Sequence, residues 1–285
     1  MNAGDSGMRG RWGALVVLIL ALLPVAPVAA AEELVRFEGG PSLLDLIRQR
    51  QARERGETPA AAEAIDGYLS RPDGDGPFPA IVYLHGCGGL SKPTRHRIAD
   101  LMTGWGYVTL AVDSFTSRGI GHSCNQDMPR RQGDALGALR YLSGLGFVDP
   151  DRIALVGASQ GGGIGLQVAS TGAVNGAGQP TVRAVVAYYP PCRVAAEQLR
   201  IPALVLIGDA DDWTPASDCE RWMQRRAGLG APVKLVVYPR AYHSFDNPGG
   251  MIGGRYLGHW LQYDADAAQR SVNEMHDFLQ AQFAK

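Results

Sequence analysis

The stretch Ile153-Ala-Leu-Val-Gly-Ala-Ser-Gln-Gly-Gly162 constrains this chain more than any other. Its apolar first half ends at Gly157-Ala158-Ser159-Gln160-Gly161, and residues 163–169 then follow a helical pattern. A strand that passes into a helix through so short a turn brings the backbone before and after the serine close to contact. The flanking positions therefore need side chains no larger than hydrogen, which Gly157 and Gly161 supply. Ser159 falls at the apex with its hydroxyl exposed, and the free N–H groups and positive dipole end of the helix point at the same place. The pattern reads as a nucleophile elbow. The competing reading is a glycine-rich turn without chemistry, and the flanking strand and helix patterns weaken it.

Around this stretch, short apolar runs alternate with helical spacing. Residues 107–112, 153–156, 184–188, 203–207 and 233–237 read as strands; 96–105, 134–145, 163–170, 218–227 and 267–283 read as helices. Upstream, 33–37 reads as a first strand and 43–57 as a surface helix. The alternating run 64–70 stops at the turn cluster Arg71-Pro-Asp-Gly-Asp-Gly-Pro77, ahead of the apolar run 80–84. Strands that are apolar throughout, alternating with amphipathic helices, predict an α/β fold: a mostly parallel central sheet with helices on both faces. Sites in such sheets lie at the carboxyl ends of the strands.

Arg9 and Arg11 precede an uncharged run over 12–31 with a strongly apolar core, broken by Pro24 and Pro27 and ending in Ala29-Ala30-Ala31. That is the layout of a secretory signal peptide over 1–31, and its apolar core is short for an uncleaved membrane anchor. The mature chain is then expected to be periplasmic or secreted, with no membrane association after cleavage, and 32–285 to form one domain. It carries 25 basic and 27 acidic residues, which gives no reason to expect a nucleic-acid partner. Cys87, Cys124, Cys192 and Cys219 show no C-x-x-C spacing and only His122 lies near one of them. They read as disulfide partners rather than metal ligands, and no metal or cofactor is expected.

A serine hydroxyl needs a base to take its proton, and histidine has a suitable pKa. His96 and His276 fall within helical patterns, His122 and His259 in loops with no strand to aim them, and His85 at a strand end where a turn-shaping role suits it. His243 follows the last strand by a short loop and comes after Ser159 in sequence, which makes it the candidate base. The base in turn needs a carboxylate to hold its tautomer. Gly208-Asp-Ala-Asp-Asp-Trp-Thr-Pro215 offers Asp209, Asp211 and Asp212, among which spacing alone does not choose. For an oxyanion, His85-Gly-Cys-Gly-Gly89 lies at the right strand end, so the main-chain N–H groups of Cys87 and Gln160 are the candidate donors. Cys192, just past one strand, and Cys219, at the start of the helix after the acid loop, sit at neighbouring strand ends and are expected to pair. Cys87 and Cys124 remain for a second bridge, which would restrict the oxyanion loop.

Taken together, Tyr83-Leu-His-Gly-Cys-Gly-Gly-Leu90, Val112-Asp-Ser-Phe-Thr-Ser-Arg-Gly119, Gly157-Ala-Ser-Gln-Gly-Gly162, Tyr188-Tyr-Pro-Pro-Cys192, Gly208-Asp-Ala-Asp-Asp-Trp-Thr-Pro215 and Tyr242-His-Ser-Phe245 resemble the dienelactone hydrolase family of α/β-hydrolases. The resemblance runs from about Ala64 to the C terminus. It implies Asp211 as the acid, marked by Pro215 four positions on, and His243 as the base. It also implies hydrolysis of a small ester or lactone through an acyl-enzyme on Ser159. The alternatives are an acyltransferase of the same fold or a ligand-binding protein without turnover. The chain departs from the family pattern in having Ser159 where the namesake enzymes have cysteine, Gly86 where they have glutamate, and Asn247 where they have the second of two carboxylate-binding arginines; Arg118 matches the first. Arg118 is therefore a candidate substrate contact, with a loop-fixing salt bridge as the competing role. Trp213 and the insertion 247–262, with Met251, Tyr256, Trp260 and Tyr263, are candidates for the substrate pocket, the other possibility being that these aromatics only pack on the body of the domain.

Overall fold

Strands that are mostly apolar on both faces must be covered on both sides, and the structure meets that demand with one large sheet. A computed structural model of the chain describes residues 1, 4, 32–41, 43–58, 62–124, 131–249 and 253–285. The expected export signal, apart from Met1 and Gly4, lies outside the described residues, as does Met251. In chain order the strands are β1 (Glu32–Glu38), β2 (Ala64–Ser70), β3 (Phe78–Leu84), β4 (Val108–Asp113), β5 (Val148–Ala158), β6 (Ala184–Tyr188), β7 (Ala203–Gly208), β8 (Val233–Tyr238), β9 (Gly254–Tyr256) and β10 (His259–Leu261). The helices are α1 (Leu43–Glu54), α2 (Lys92–Gly104), α3 (Arg131–Ser143), α4 (Gln160–Ser170), α5 (Ala216–Arg225) and α6 (Ala265–Phe283).

Eight strands form one sheet in the order β1-β2-β4-β3-β5-β6-β7-β8. β1 and β2 join antiparallel at one edge, and every pairing from β4 to β8 is parallel. Every residue of β4, β6 and β7 is buried. Since successive side chains point to opposite faces, burial of all of them means that both faces are covered. α4 packs on β5 and β6, α3 on β3, β4 and β5, and α6 on β6 and β7. The core between these layers holds Trp222, Tyr238, Phe115, Met102 and Leu139.

Several helices begin earlier than hydrophobic spacing alone suggests, because capping decides where a helix starts. α2 begins at Lys92 rather than His96: Ser91 Oγ accepts from Thr94 N at 3.3 Å, and Pro93 stands in the first turn, where its missing N–H costs nothing. α6 begins at Ala265, with Asp264 accepting from Ala267 N at 2.9 Å. α4 begins at Gln160, directly after Ser159, with no intervening loop.

The segment 247–262 is more ordered than an open loop. Among its described residues, β9 and β10 form an antiparallel hairpin, and His243 makes a parallel bridge with Leu261. Both cysteine pairs are bridged, Cys192 to Cys219 and Cys87 to Cys124, each with Cα atoms 4.8 Å apart. No helix among the described residues is long and apolar enough to cross a membrane.

Register fixes where chemistry can gather. Leu84 pairs with Gly157, Ala158 with Tyr188, and Gly208 with Tyr238. The loops that follow β3, β5, β6, β7 and β8 therefore leave the sheet at one level, and five chain segments converge there.

Candidate active site

Ser159 sits between β5 and α4 with φ 53° and ψ −118°, a conformation that costs a non-glycine residue on the order of 1–3 kcal/mol. The surrounding backbone holds it there: Ser159 N donates to Tyr188 O at 2.8 Å, and Gly163 N to Ser159 O at 3.0 Å. The glycines are needed for contact as much as for freedom. A Cβ on Gly157 would overlap the backbone of Gly161, and one on Gly161 would overlap Leu84 O. Ser159 remains half-buried, so its hydroxyl stays within reach of a ligand.

His243 Nε2 lies 3.1 Å from Ser159 Oγ, and its Nδ1 lies 2.8 Å from Asp211 Oδ2. Both His243 and Asp211 are buried. A carboxylate only accepts, so Nδ1 carries the proton and Nε2 is left as the acceptor facing Ser159. The acid loop fixes the carboxylate itself: Asp211 Oδ1 accepts from Trp213 N at 2.9 Å and Thr214 N at 2.8 Å. The Thr214 hydroxyl lies within hydrogen-bond reach of Asp211 Oδ2 (2.9 Å), Tyr189 O (3.0 Å) and His243 Nδ1 (3.2 Å). The other two aspartates do different work. Asp209 accepts from Arg240 N in the turn before His243, and Asp212 accepts from Trp260 N at 3.0 Å, tying the hairpin to the acid loop.

Aromatic rings enclose the imidazole. Tyr189 packs 4.5 Å from it and Trp213 5.0 Å, centroid to centroid. Tyr189 is anchored from below, its hydroxyl donating to Asp246 Oδ1 at 2.6 Å while Arg97 pairs with Asp246 Oδ2 at 3.2 Å. Trp213 also stacks on His259 at 4.9 Å, and Tyr256 lies 5.9 Å from Trp213. Trp213 thus packs on His243, and Tyr256 packs on Trp213. Trp260 instead packs against Tyr242 and donates its indole N–H to Gln262 Oε1 at 3.0 Å, and Tyr263 is exposed.

Across from the histidine, Cys87 and Gln160 are brought to the same end of the sheet by β3 and α4. His85 is buried; Ser114 N donates to its Nε2 at 3.3 Å, which leaves the proton on Nδ1 for Gly86 O at 2.7 Å. Burial first, then the charge of Arg131, hold His85 well below the ordinary histidine range, so it is a neutral strut of the turn. Arg131, fully buried, donates to His85 O at 2.6 Å and to Gln160 Oε1 at 2.8 Å. Burial lowers its pKa to about 10, with Asp134 opposing the shift, and it remains charged at neutral pH. Ser123 joins the same cluster, its N donating to Cys87 O at 2.8 Å and its hydroxyl to Gln160 Oε1 at 3.0 Å.

The expectation that Arg118 contacts substrate meets a different arrangement. Its guanidinium is engaged by both oxygens of the buried Asp134 (2.7 and 2.8 Å), by Glu63 Oε2 and by Ser114 O. Burial works against its charge, but the bonds to Asp134 and Glu63 outweigh that, and its pKa lies above the usual arginine value. Two carboxylates and the carbonyl of Ser114 already engage this cation, the bonding that the competing, loop-fixing role calls for.

Thr214, Tyr189, Ser123 and Arg131 were not singled out from sequence. Thr214 had a signal, since an aspartate three residues before a threonine is a common turn that caps itself. Arg131 had none, because a buried arginine at a helix start reads like any solvated one. Among the described residues there is no cluster of His, Cys, Asp and Glu able to hold a metal ion.

Comparison with known proteins places this architecture. The model of the dienelactone hydrolase family matches residues 65–283. A relative from Mycobacterium tuberculosis with no assigned activity is 32% identical over 231 residues, covering 74% of this chain and 75% of its own. One from Methylorubrum extorquens, provisionally named a carboxymethylenebutenolidase, is 28% identical over 243 residues, covering 75% of this chain and 76% of its own. Among solved structures, a hyperthermophilic esterase from Pyrobaculum calidifontis superposes with a TM-score of 0.62 at 18% identity, covering 88% of this chain and 83% of that one, and shows the same fold. With the elbow, the strand order and the family match in agreement, this chain belongs to the dienelactone hydrolase family and is an ester or lactone hydrolase.

Proposed function

We propose that the protein is an exported serine hydrolase whose residues 32–285 form one catalytic domain, cleaving a small carboxylic ester or lactone through an acyl-enzyme on Ser159. The observation that carries the reading is the line from Ser159 Oγ through His243 Nε2 and Nδ1 to Asp211 Oδ2, at 3.1 and 2.8 Å. In the first half-reaction the Ser159 oxygen bonds to the substrate carbonyl carbon as its proton passes to His243 Nε2, and Asp211 stabilises the imidazolium. The carbonyl oxygen takes up negative charge facing the N–H groups of Cys87 and Gln160, whose pre-set orientation lowers the barrier. As the tetrahedral adduct collapses, the bond to the alcohol breaks and His243 returns the proton to the leaving oxygen. Water then repeats the sequence, with His243 as its base, and releases the acid.

The engagement of Arg118 by Asp134 and Glu63 supports a neutral substrate over one that carries a free carboxylate. Trp213 beside His243, with Tyr256 next to it, suits an apolar acyl or alcohol group. The disulfides support export, since such bridges persist in oxidising compartments. The test is turnover by mature protein of p-nitrophenyl acetate and of matched neutral and carboxylate-bearing lactones. The reading predicts Ser159-dependent hydrolysis with preference for the neutral member of each pair. Equal or better turnover of the charged member would remove the substrate assignment.

A further inference from the structure

Arg131 touches both sides of the candidate oxyanion site. It lies at the start of α3, 46 residues from His85 and 29 from Gln160 in sequence. One arm of the guanidinium donates to His85 O, in the turn that leads to Cys87, and the other to Gln160 Oε1, on the residue that follows Ser159. Two residues that no covalent link joins thus share one rigid, planar fork. Ser123 spans the same gap through Cys87 O and Gln160 Oε1, and the Cys87–Cys124 bridge fastens the neighbouring residue.

We propose that Arg131 is a positioning residue that sets the separation of the Cys87 and Gln160 N–H groups, and so the strength with which the site binds the oxyanion. The proposal rests on the serine-hydrolase reading above. Its physical basis is that oxyanion donors act through fixed placement. A donor free to drift binds ground and transition states alike, and a displacement near 1 Å at a reacting centre costs up to about 100-fold in rate. Burial adds a second contribution, since a charge shielded from water acts at longer reach on the anion that forms nearby. A lysine in this place keeps the charge but lacks the fork that spans two acceptors.

The experiment compares wild type, Ser159→Ala, Arg131→Met, Arg131→Lys and Gln160→Met for kcat, KM, thermal midpoint and inhibition by phenylboronic acid, which forms a tetrahedral adduct with a nucleophilic serine. Arg131→Met should lower kcat by about 10- to 100-fold with KM changed less than about threefold, and should weaken phenylboronic acid in the same proportion. Arg131→Lys should fall between it and wild type. Gln160→Met, which breaks one end of the fork without disturbing the buried charge, should repeat the kcat effect in smaller measure while the thermal midpoint stays near wild type. A purely structural Arg131 would lower the thermal midpoint and leave kcat and phenylboronic acid affinity of the folded enzyme unchanged. If Arg131→Met fails to fold, Arg131→Lys and Gln160→Met decide, and wild-type kcat in both overturns the proposal. Wild-type turnover in Ser159→Ala removes the underlying reading and the proposal together, whereas Ser159-dependent turnover that the Arg131 and Gln160 variants leave intact overturns the proposal alone.

Discussion

On the histidine side of Ser159, the acid is fixed by the turn it belongs to. Asp211 accepts from Trp213 N and Thr214 N in its own turn. On the oxyanion side, the supports arrive from far along the chain: Arg131 at the start of α3, Ser123 and Cys124 from the loop after β4. The difference has a physical source. The acid needs its carboxylate aimed at one partner, which a short self-capping turn provides. Two N–H groups on separate segments need their separation fixed, and only something that spans both segments can do that. The comparison predicts that damage on the histidine side removes chemistry outright, while damage on the oxyanion side loosens it by degrees.

The largest effect should come from the line of proton transfer. Ser159→Ala or His243→Ala should lower kcat for p-nitrophenyl acetate by about 10⁴- to 10⁶-fold with the thermal midpoint little changed, because such residues act as a unit. Asp211→Asn comes next, with a loss of up to about 10⁴-fold from presenting the wrong imidazole tautomer. Asp209→Asn and Asp212→Asn should stay within about tenfold of wild type, as expected of residues that hold turns and the hairpin rather than the imidazole. A crippled Asp212→Asn enzyme would show that the acid has been misplaced, and with it the self-capping account of that side.

The cysteines separate stability from activity. Replacing Cys192 and Cys219 by alanine opens the loop that carries β7 and the acid, and should cost roughly 3–4 kcal/mol of unfolding free energy with kcat preserved in the folded fraction. Replacing Cys87 and Cys124 removes a similar entropic constraint, but should also lower kcat, since that bridge fastens the oxyanion loop. Denaturant melts alongside initial rates check both. Equal kcat losses from the two pairs would erase the distinction between the sides.

How far sequence reached follows the same division. The sheet was legible because each strand of its parallel core carries a run of mostly apolar residues, and Ser159 because the elbow demands glycines at 157 and 161. His243 was legible because it follows β8, the last strand of the large sheet. Asp211 needed the family pattern with Pro215, since three aspartates shared one turn and only the structure shows what Asp209 and Asp212 do instead. Arg131 and the bonding of Arg118 were beyond reach, because an arginine's partners are set by tertiary approach and leave no local pattern. The hairpin of β9 and β10 was missed for a similar reason. Its strands are three residues each, too short for alternation to show, and it is held by Asp212 and His243 from elsewhere in the chain.

Smaller effects sharpen the comparison. Thr214→Val, which removes one hydroxyl beside Asp211 and His243, should lower kcat by about 10-fold, in keeping with about 1–1.5 kcal/mol for one hydrogen bond. His85 gives a signature in pH. Its pKa is held below the unfolded value of about 6.5, so the unfolded chain binds the extra proton first as pH falls. Stability should therefore decline below about pH 6.5, and His85→Gln should flatten that slope. An unchanged slope in His85→Gln would show that the acid sensitivity lies elsewhere.

The mechanism forms a covalent bond at Ser159 that can be trapped. Turnover of p-nitrophenyl acetate quenched in acid within the first cycles, followed by peptide mapping, should find one acetyl group per active chain on Ser159. It should be absent from Ser159→Ala. An acetyl group at another residue, or full turnover with none on Ser159, would contradict the mechanism.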